Sequence, residues 1–84
     1  MSKQDKRLEA VRRNPKNVRF QELRTVLAAH GFSGRPGRGD HWIFAHPLLT
    51  ENLSVDARRP FLLLTYVKTA LKAIDEADAA SGED

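Results

Sequence analysis

The chain has 84 residues, no cysteine and a formal net charge of +3. A domain of this length buries only about 60% of the surface that its unfolded chain exposes, so a thin core is expected. Without cysteine, neither a disulfide framework nor a thiolate metal site can form. The apolar runs fall short of the ~18 residues of a membrane span, and residues 1–6 lack the apolar segment of a secretory signal. The expected location is therefore the cytoplasm.

Charge is distributed unevenly along the chain. Residues 1–38 hold ten Lys and Arg against three acidic residues, whereas residues 39–84 hold four against eight. A basic half suits a polyanion such as RNA. The alternative is a solvated, basic helical face with no ligand. The acidic end, from Asp75 onward, is typical of a frayed, disordered tail.

The first predicted element is a weak helix over residues 3–13, with Leu8 and Val11 as its large apolar residues and Ser2 as a possible cap. Asn14 and Pro15 end it, because the residue before a proline avoids the helical region. We assign residues 1–16 to a basic N-terminal extension that either docks on the domain or stays mobile.

A stronger helix is predicted over residues 19–29, with Asn17 as its N-cap. Its apolar stripe consists of Phe20, Leu23, Val26 and Leu27. Gly31 is predicted at the C′ position, since glycine tolerates the left-handed conformation found there. His30 lies in the last turn, where the helix dipole favours a cation.

Three short strands follow, at about residues 32–35, 40–46 and 53–56, and glycines make the turn before the second strand. Residues 57–64 are either β-like or an irregular apolar segment. Their four consecutive apolar residues, Phe61 to Leu64, are expected to be buried in the core or at an interface. The last helix is predicted over residues 65–78, with Thr65 as a possible cap.

This order predicts an α+β fold, α-β-β-β-α, with two helices on one face of a three-stranded antiparallel sheet and the other face open. The domain would span residues 17–78, between the extension and an acidic tail at residues 79–84. Strand alternation places Trp42, Phe44 and His46 on one face, and His41, Ile43 and Ala45 on the other. The aromatic pair forms the core, which leaves His41 on the open face.

Residues 37–47, which read GRGDHWIFAHP, resemble the G-S-H-x-x-[F/Y]-x-H-P core of the HicA toxins. These are small mRNA interferases of bacterial toxin–antitoxin pairs. The likeness continues upstream to a first helix that exits at Gly31-Phe32, and downstream to Leu53-Ser54-Val55 and the last helix. It covers about residues 14–76. The resemblance implies a double-stranded-RNA-binding-domain-like fold, mRNA as substrate and a HicB-like antitoxin as partner.

RNA can be cleaved through its own 2′-hydroxyl, which attacks the adjacent phosphate once a base removes its proton. Histidine suits this work because it titrates near neutrality. By the match to the HicA motif, the single catalytic histidine is His41, acting as general acid/base. The alternative is a strand-end histidine that merely forms a hydrogen bond. We expect no cofactor and no metal, because the attacking group belongs to the substrate.

Phosphate contacts are expected from Arg35, Arg38 and Lys68, since arginine offers bidentate donors and Lys68 adds a point charge. Each could equally be an ordinary surface cation, and Arg58 and Arg59 are weaker candidates. His46 has the opposite strand parity from His41 and is expected to close the turn at Pro47. The three histidines lack metal-ligand spacing.

The chain departs from the HicA pattern at three places. Asp40 replaces a small serine, Pro36 interrupts the first strand, and residues 61–64 replace basic and polar residues. A carboxylate beside His41 favours the charged imidazole but repels a phosphate. Two functions therefore remain open: an active ribonuclease toxin, and a non-catalytic RNA-binding or protein-interaction module of the same fold.

Overall fold

The structure is a computed structural model that describes residues 3–82. Its elements in chain order are α1 (Lys3–Arg13), a 3-10 turn (Pro15–Asn17), α2 (Phe20–Ala29), β1 (Ser33–Pro36), β2 (His41–Ala45), β3 (Leu53–Asp56) and α3 (Leu64–Ala80). The chain is therefore α+β, as predicted. The bounds of β3 agree with the prediction, β1 starts one residue later, and α3 extends beyond its predicted range at both ends.

The three strands form one antiparallel sheet in the order β1-β2-β3. Phe20 of α2 packs on Trp42 and Phe44, with ring centroids 5.3 and 6.3 Å apart. Trp42 and Phe44 pair with Val55 and Leu53 of β3. The core therefore lies between the helices and this face, as the alternation predicts. On the other face, Arg35 and Ser54 flank Ile43.

The two ends of α2 differ in how well the sequence predicts them. At the C-terminal end, Gly31 has φ of 91°, and the Phe32 N–H donates to the Leu27 carbonyl at 3.0 Å, which completes a Schellman motif. At the N-terminal end the prediction of Asn17 as cap is wrong. The cap is Arg19, whose N–H donates to the Glu22 carboxylate at 3.2 Å. Asn17 is instead held in the 3-10 turn that Pro15 begins.

The segment between β3 and α3 is irregular, and its Arg59–Pro60 peptide bond is cis. Leu62 is buried and its N–H donates to the Val18 carbonyl at 2.8 Å. Phe61 and Leu63 are 36% and 40% exposed, so the core does not take up all of residues 61–64, and the alternative of burial at an interface stays a prediction for these two side chains. Because the backbone is irregular here, successive side chains point in different directions, and Leu62 is the one that enters the core.

Helix α3 begins at Leu64 with Leu63 as its cap, so the prediction of Thr65 as cap is also wrong. Thr65 lies inside the first turn, where its carbonyl accepts a hydrogen bond from the Thr69 hydroxyl at 2.8 Å. Ala79 and Ala80, which the domain division placed in the tail, are helical.

Helix α1 is docked on the domain. Val11 is buried in the common core, and Arg12 forms an ion pair with Asp75 of α3 at 2.6 Å. The hydrogen bond to Asp75, aided by the charges of Asp75 and Asp78 and opposed by partial burial, raises the pKa of Arg12. The predicted Ser2 cap and the last two residues of the predicted tail lie outside the described residues. Every helix within residues 3–82 is too short or too polar to cross a membrane.

Gly34 of β1 lies against the ring of Phe44, its partner in β2. A Cβ atom at position 34 would come within 2.4 Å of Phe44 Cε1, and Phe44 is too deeply buried to move aside. We expect Gly34→Ala to lower the free energy of unfolding by about 1–3 kcal/mol, measured by urea denaturation. Gly37→Ala is the matched control, because its Cβ would meet Ile43 Cγ1 at 3.3 Å. Ile43 is only half-buried and can adjust, so equal losses in the two variants would contradict this packing.

Candidate functional site

His41 is the first residue of β2, and its backbone is held on both sides. Its N–H donates to the Arg38 carbonyl at 3.0 Å, and its carbonyl accepts from the Gly37 N–H at 2.7 Å. Gly39, at φ of 57°, supplies the positive φ that a tight hairpin turn needs. The imidazole is exposed. A fixed backbone with a free side chain suits a group that must meet a ligand.

Two side chains that carry a hydroxyl group or a carboxylate lie beside the His41 imidazole. The ring of Tyr66, in the first turn of α3, is 6.4 Å from the His41 ring at an interplanar angle of 77°. Asp56 pairs with His41 across β2 and β3. The Ala57 N–H donates to the Asp40 carbonyl at 2.8 Å, so His41 and Asp56 form the non-hydrogen-bonded type of pair, in which side chains lie closer together.

Among the side chains of residues 6–82 the His41 imidazole finds no hydrogen-bond partner, and Asp56 forms its ion pair with Arg58, at 3.5 Å. The alternative of a strand-end histidine that merely forms a hydrogen bond is therefore not what the structure shows. The imidazole is available to an incoming group.

The other two histidines hold the fold together. His46 Nδ1 accepts from the Leu48 N–H at 3.0 Å, and His46 Nε2 donates to the His30 carbonyl at 3.1 Å. This confirms that His46 closes the turn at Pro47. His30 Nδ1 lies 3.4 Å from Asp78 Oδ1. Among the described residues, no group of three or more His, Cys, Asp or Glu is placed to hold a metal ion.

The predicted phosphate-binding cations do not all lie together. Arg35 is opposite Ile43 on the open face, diagonal to His41, and Arg38 sits in the turn that leads into His41. Lys68 is exposed on α3, about 200° around the helix from Tyr66 at 100° per residue. The backbone therefore places Arg35 and Arg38 near His41 along the sheet and its turn, whereas Lys68 lies on a different side of α3 from Tyr66.

A groove of about 820 Å³ opens beside the turn that carries His41. We call it the arginine groove; its charged and aromatic lining includes Arg19, Arg24, Asp40, Trp42, Arg58 and Arg59. It lies between the start of α2, the β1–β2 turn and the segment after β3. Its volume falls within the roughly 300–1,000 Å³ of ordinary ligand sites.

Two of the groove's arginines rest on aromatic rings. The guanidinium carbon of Arg24 lies 4.5 Å from the centroid of Trp42, and that of Arg19 lies 5.7 Å from the centroid of Phe61. The sequence did not indicate Arg19, Arg24 or the side of Trp42 that lines the groove, and it made Arg58 and Arg59 weaker candidates. The available sequence signal was a set of basic residues and one tryptophan. These residues are separated along the chain, and only the tertiary fold brings them to one groove.

The chain matches no protein-family model, no curated protein and no solved structure. The chemistry of the site therefore follows from the side chains themselves. An accessible imidazole beside a phenol can exchange a proton with a hydroxyl, and neighbouring guanidinium groups can hold a phosphate. This combination is suited to a phosphodiester.

Proposed function

We propose that this chain is a toxin of HicA type, an RNA-binding ribonuclease that cleaves mRNA in the cytoplasm and arrests translation, with His41 as general acid/base. The observation that carries the proposal is the exposed imidazole of His41, which forms no hydrogen bond within the described residues and directly follows Gly39 and Asp40, two residues that line the arginine groove. The α-β-β-β-α order with helices on one face of the sheet supports the double-stranded-RNA-binding-domain-like fold that the HicA resemblance implies.

In the proposed reaction, a nitrogen of His41 removes the proton from a ribose 2′-hydroxyl. The 2′-oxygen then forms a bond to the adjacent phosphorus, and the bond from phosphorus to the 5′-oxygen of the next nucleotide breaks. The leaving oxygen takes up a proton, so the products end in a 2′,3′-cyclic phosphate and a 5′-hydroxyl. Arg35 and Arg38 stabilise the charge on the phosphate. With one histidine, binding and orientation supply much of the rate.

The test is incubation of the purified chain with end-labelled single-stranded RNA in buffer containing EDTA, followed by analysis of the new ends. We expect cleavage with cyclic-phosphate ends, and no cleavage of the same RNA carrying 2′-O-methyl groups. Loss of cleavage in EDTA, or products with 5′-phosphate ends, would overturn this mechanism.

We also propose a HicB-like antitoxin as the protein that keeps the toxin silent by covering the open sheet face and His41. That face presents Arg35, Ile43 and Ser54 beside the imidazole. Ile43 gives this face a half-buried apolar centre, and Arg35 and Asp56 beside it offer charged groups to a partner, as in an interface with an apolar core and a polar rim.

A second candidate is a non-catalytic RNA-binding module of the same fold. The favouring observation is that most of the arginines near His41 lie in the arginine groove, on the helix side, whereas His41 pairs with Asp56 on the other face. Folded protein that binds RNA but releases no cleavage product would establish this second function.

Tyr66→Phe tests whether the phenol takes part in the reaction. The variant keeps the aromatic ring that packs on the core and removes the hydroxyl group near His41. One lost hydrogen bond to the reacting groups corresponds to about 0.5–1.5 kcal/mol, so we expect cleavage to slow by about two- to tenfold in single-turnover assays. Thermal stability should stay the same. An unchanged cleavage rate would assign Tyr66 to packing alone.

A further inference from the structure

The arginine groove has a composition that points to a particular form of nucleic acid. Trp42 lines it and is half-buried, so part of its indole ring faces the groove. Around it stand four arginines against one acidic residue, Asp40. Aromatic rings that bases can stack on, combined with guanidinium groups that track the backbone, are the features of sites for single-stranded nucleic acid.

Two of the groove's four arginines, Arg19 and Arg24, rest on rings without using up their hydrogen-bond donors. Among the described side chains, those of residues 6–82, Arg58 pairs with Asp56, whereas Arg19, Arg24 and Arg59 form no ion pair. Arg24 lies over Trp42 and Arg19 lies near the ring face of Phe61. A guanidinium that rests on a ring uses its flat face, so its N–H groups, which point outward in the guanidinium plane, remain available to phosphate oxygens.

Position along the chain connects the groove to His41. Gly39 and Asp40 line the groove directly before His41, and Trp42 lines it directly after. Asp40 and Ala57, which close the end of the sheet, also line it. An RNA strand that leaves the groove across this end of the sheet passes directly to the face that carries His41.

We infer that the arginine groove is a subsite for single-stranded RNA, in which an unpaired base takes the place of the Arg24 guanidinium on the ring of Trp42 and the arginines bind the flanking phosphates. This inference rests on the proposed function for the choice of RNA as ligand. It adds that the substrate is recognised unpaired, because a base within a duplex would first have to unpair and unstack to reach Trp42, which is unfavourable. The chain then selects single-stranded RNA when it binds, before the cleavage step.

The chain has one tryptophan, so its tryptophan fluorescence, excited selectively over that of Tyr66, reports on Trp42 alone. The experiment titrates the full chain with a short single-stranded 2′-O-methyl oligonucleotide, which binds but cannot be cleaved. We expect quenching of the tryptophan fluorescence on binding. The same oligonucleotide annealed to its complement should bind at least about tenfold more weakly, and an abasic strand of equal length should bind without quenching.

Arg24→Ala and Arg59→Ala should each weaken binding by about tenfold and reduce the salt dependence of binding. Arg13→Ala is the matched control, because it removes the same charge from an exposed position on α1 outside the groove. Equal effects of Arg13→Ala and Arg24→Ala would overturn the inference, as would equal affinity for duplex and single strand or the absence of quenching.

The outcomes for binding and for cleavage are separate. Selective binding of the 2′-O-methyl strand without cleavage of ordinary RNA would support the subsite and overturn the ribonuclease function. Cleavage of ordinary RNA that responds to none of the groove variants would support the ribonuclease and overturn the subsite. Binding of an acidic peptide that competes with the oligonucleotide and quenches Trp42 equally well would also overturn it, since the groove would then accept polyanions in general.

Discussion

A His41→Ala variant is expected to cleave RNA about 10²- to 10⁴-fold more slowly than the wild-type chain, the range over which general acid–base catalysis by one side chain contributes. The reason is structural: His46 and His30 are already used in hydrogen bonds that hold the fold, so neither can replace His41. The measurement is single-turnover cleavage of labelled RNA. In a bacterial host, induced wild-type protein should arrest growth with loss of mRNA, and the variant should not.

Because His41 is exposed, its removal should leave the fold unchanged, and circular dichroism checks this. Ser54→Ala is the control on the same sheet face, opposite Ile43 and next to the His41 position. It should cleave RNA at the wild-type rate. Full cleavage by folded His41→Ala protein would falsify the assignment of catalysis to this residue. Retained binding of the 2′-O-methyl strand would show that the lost step is chemical.

Local sequence signals predict well those parts of the fold that short-range physics determines. Gly31 occupies the C′ position of α2 because few other residues tolerate φ of 91° there. Strand parity places Trp42 and Phe44 against the helices, since a shift by one residue would exchange the two faces of the strand. Strand parity also places His46 on the opposite face from His41, which favours its role in closing the turn at Pro47.

The parts that the sequence predicts poorly depend on contacts between distant residues. Leu62 is buried while its neighbours Phe61 and Leu63 are exposed, because Leu62 is tied to Val18 by a backbone hydrogen bond. Four consecutive apolar residues carry no local signal that distinguishes them. The contact between His41 and Tyr66 likewise arises only when α3 packs against the sheet.

The same limit applies to the candidate site. His41 was found through the motif around it, and the structure shows that its side chain is free. The arginine groove is not evident from the sequence, because Arg24 of α2 and its N-cap Arg19 contribute two of the arginines and the segment after β3 contributes the other two. A charge count along the chain detects a basic half, but it does not reveal which cations converge.

Phe44→Ala is expected to have the largest effect on stability of the substitutions considered. Phe44 is 1% exposed and its ring lies 6.3 Å, centroid to centroid, from both Phe20 and Trp42. Truncation of a buried phenylalanine costs about 3–5 kcal/mol, a large share of the ~4–13 kcal/mol expected for a domain of this length. The measurement is chemical denaturation followed by circular dichroism, because tryptophan fluorescence would also respond to the altered packing of Trp42.

Phe61→Ala provides the matched control, because it makes the same chemical change at a position that is 36% exposed. It removes the ring beneath Arg19, and we expect a loss below about 1 kcal/mol. Equal losses in the two variants would contradict the placement of the core.

The two phenylalanines should also differ in their effect on RNA binding. Phe44 supports Trp42 from within the core, so its loss should disturb the stacking position, whereas loss of Phe61 should affect Arg19 alone.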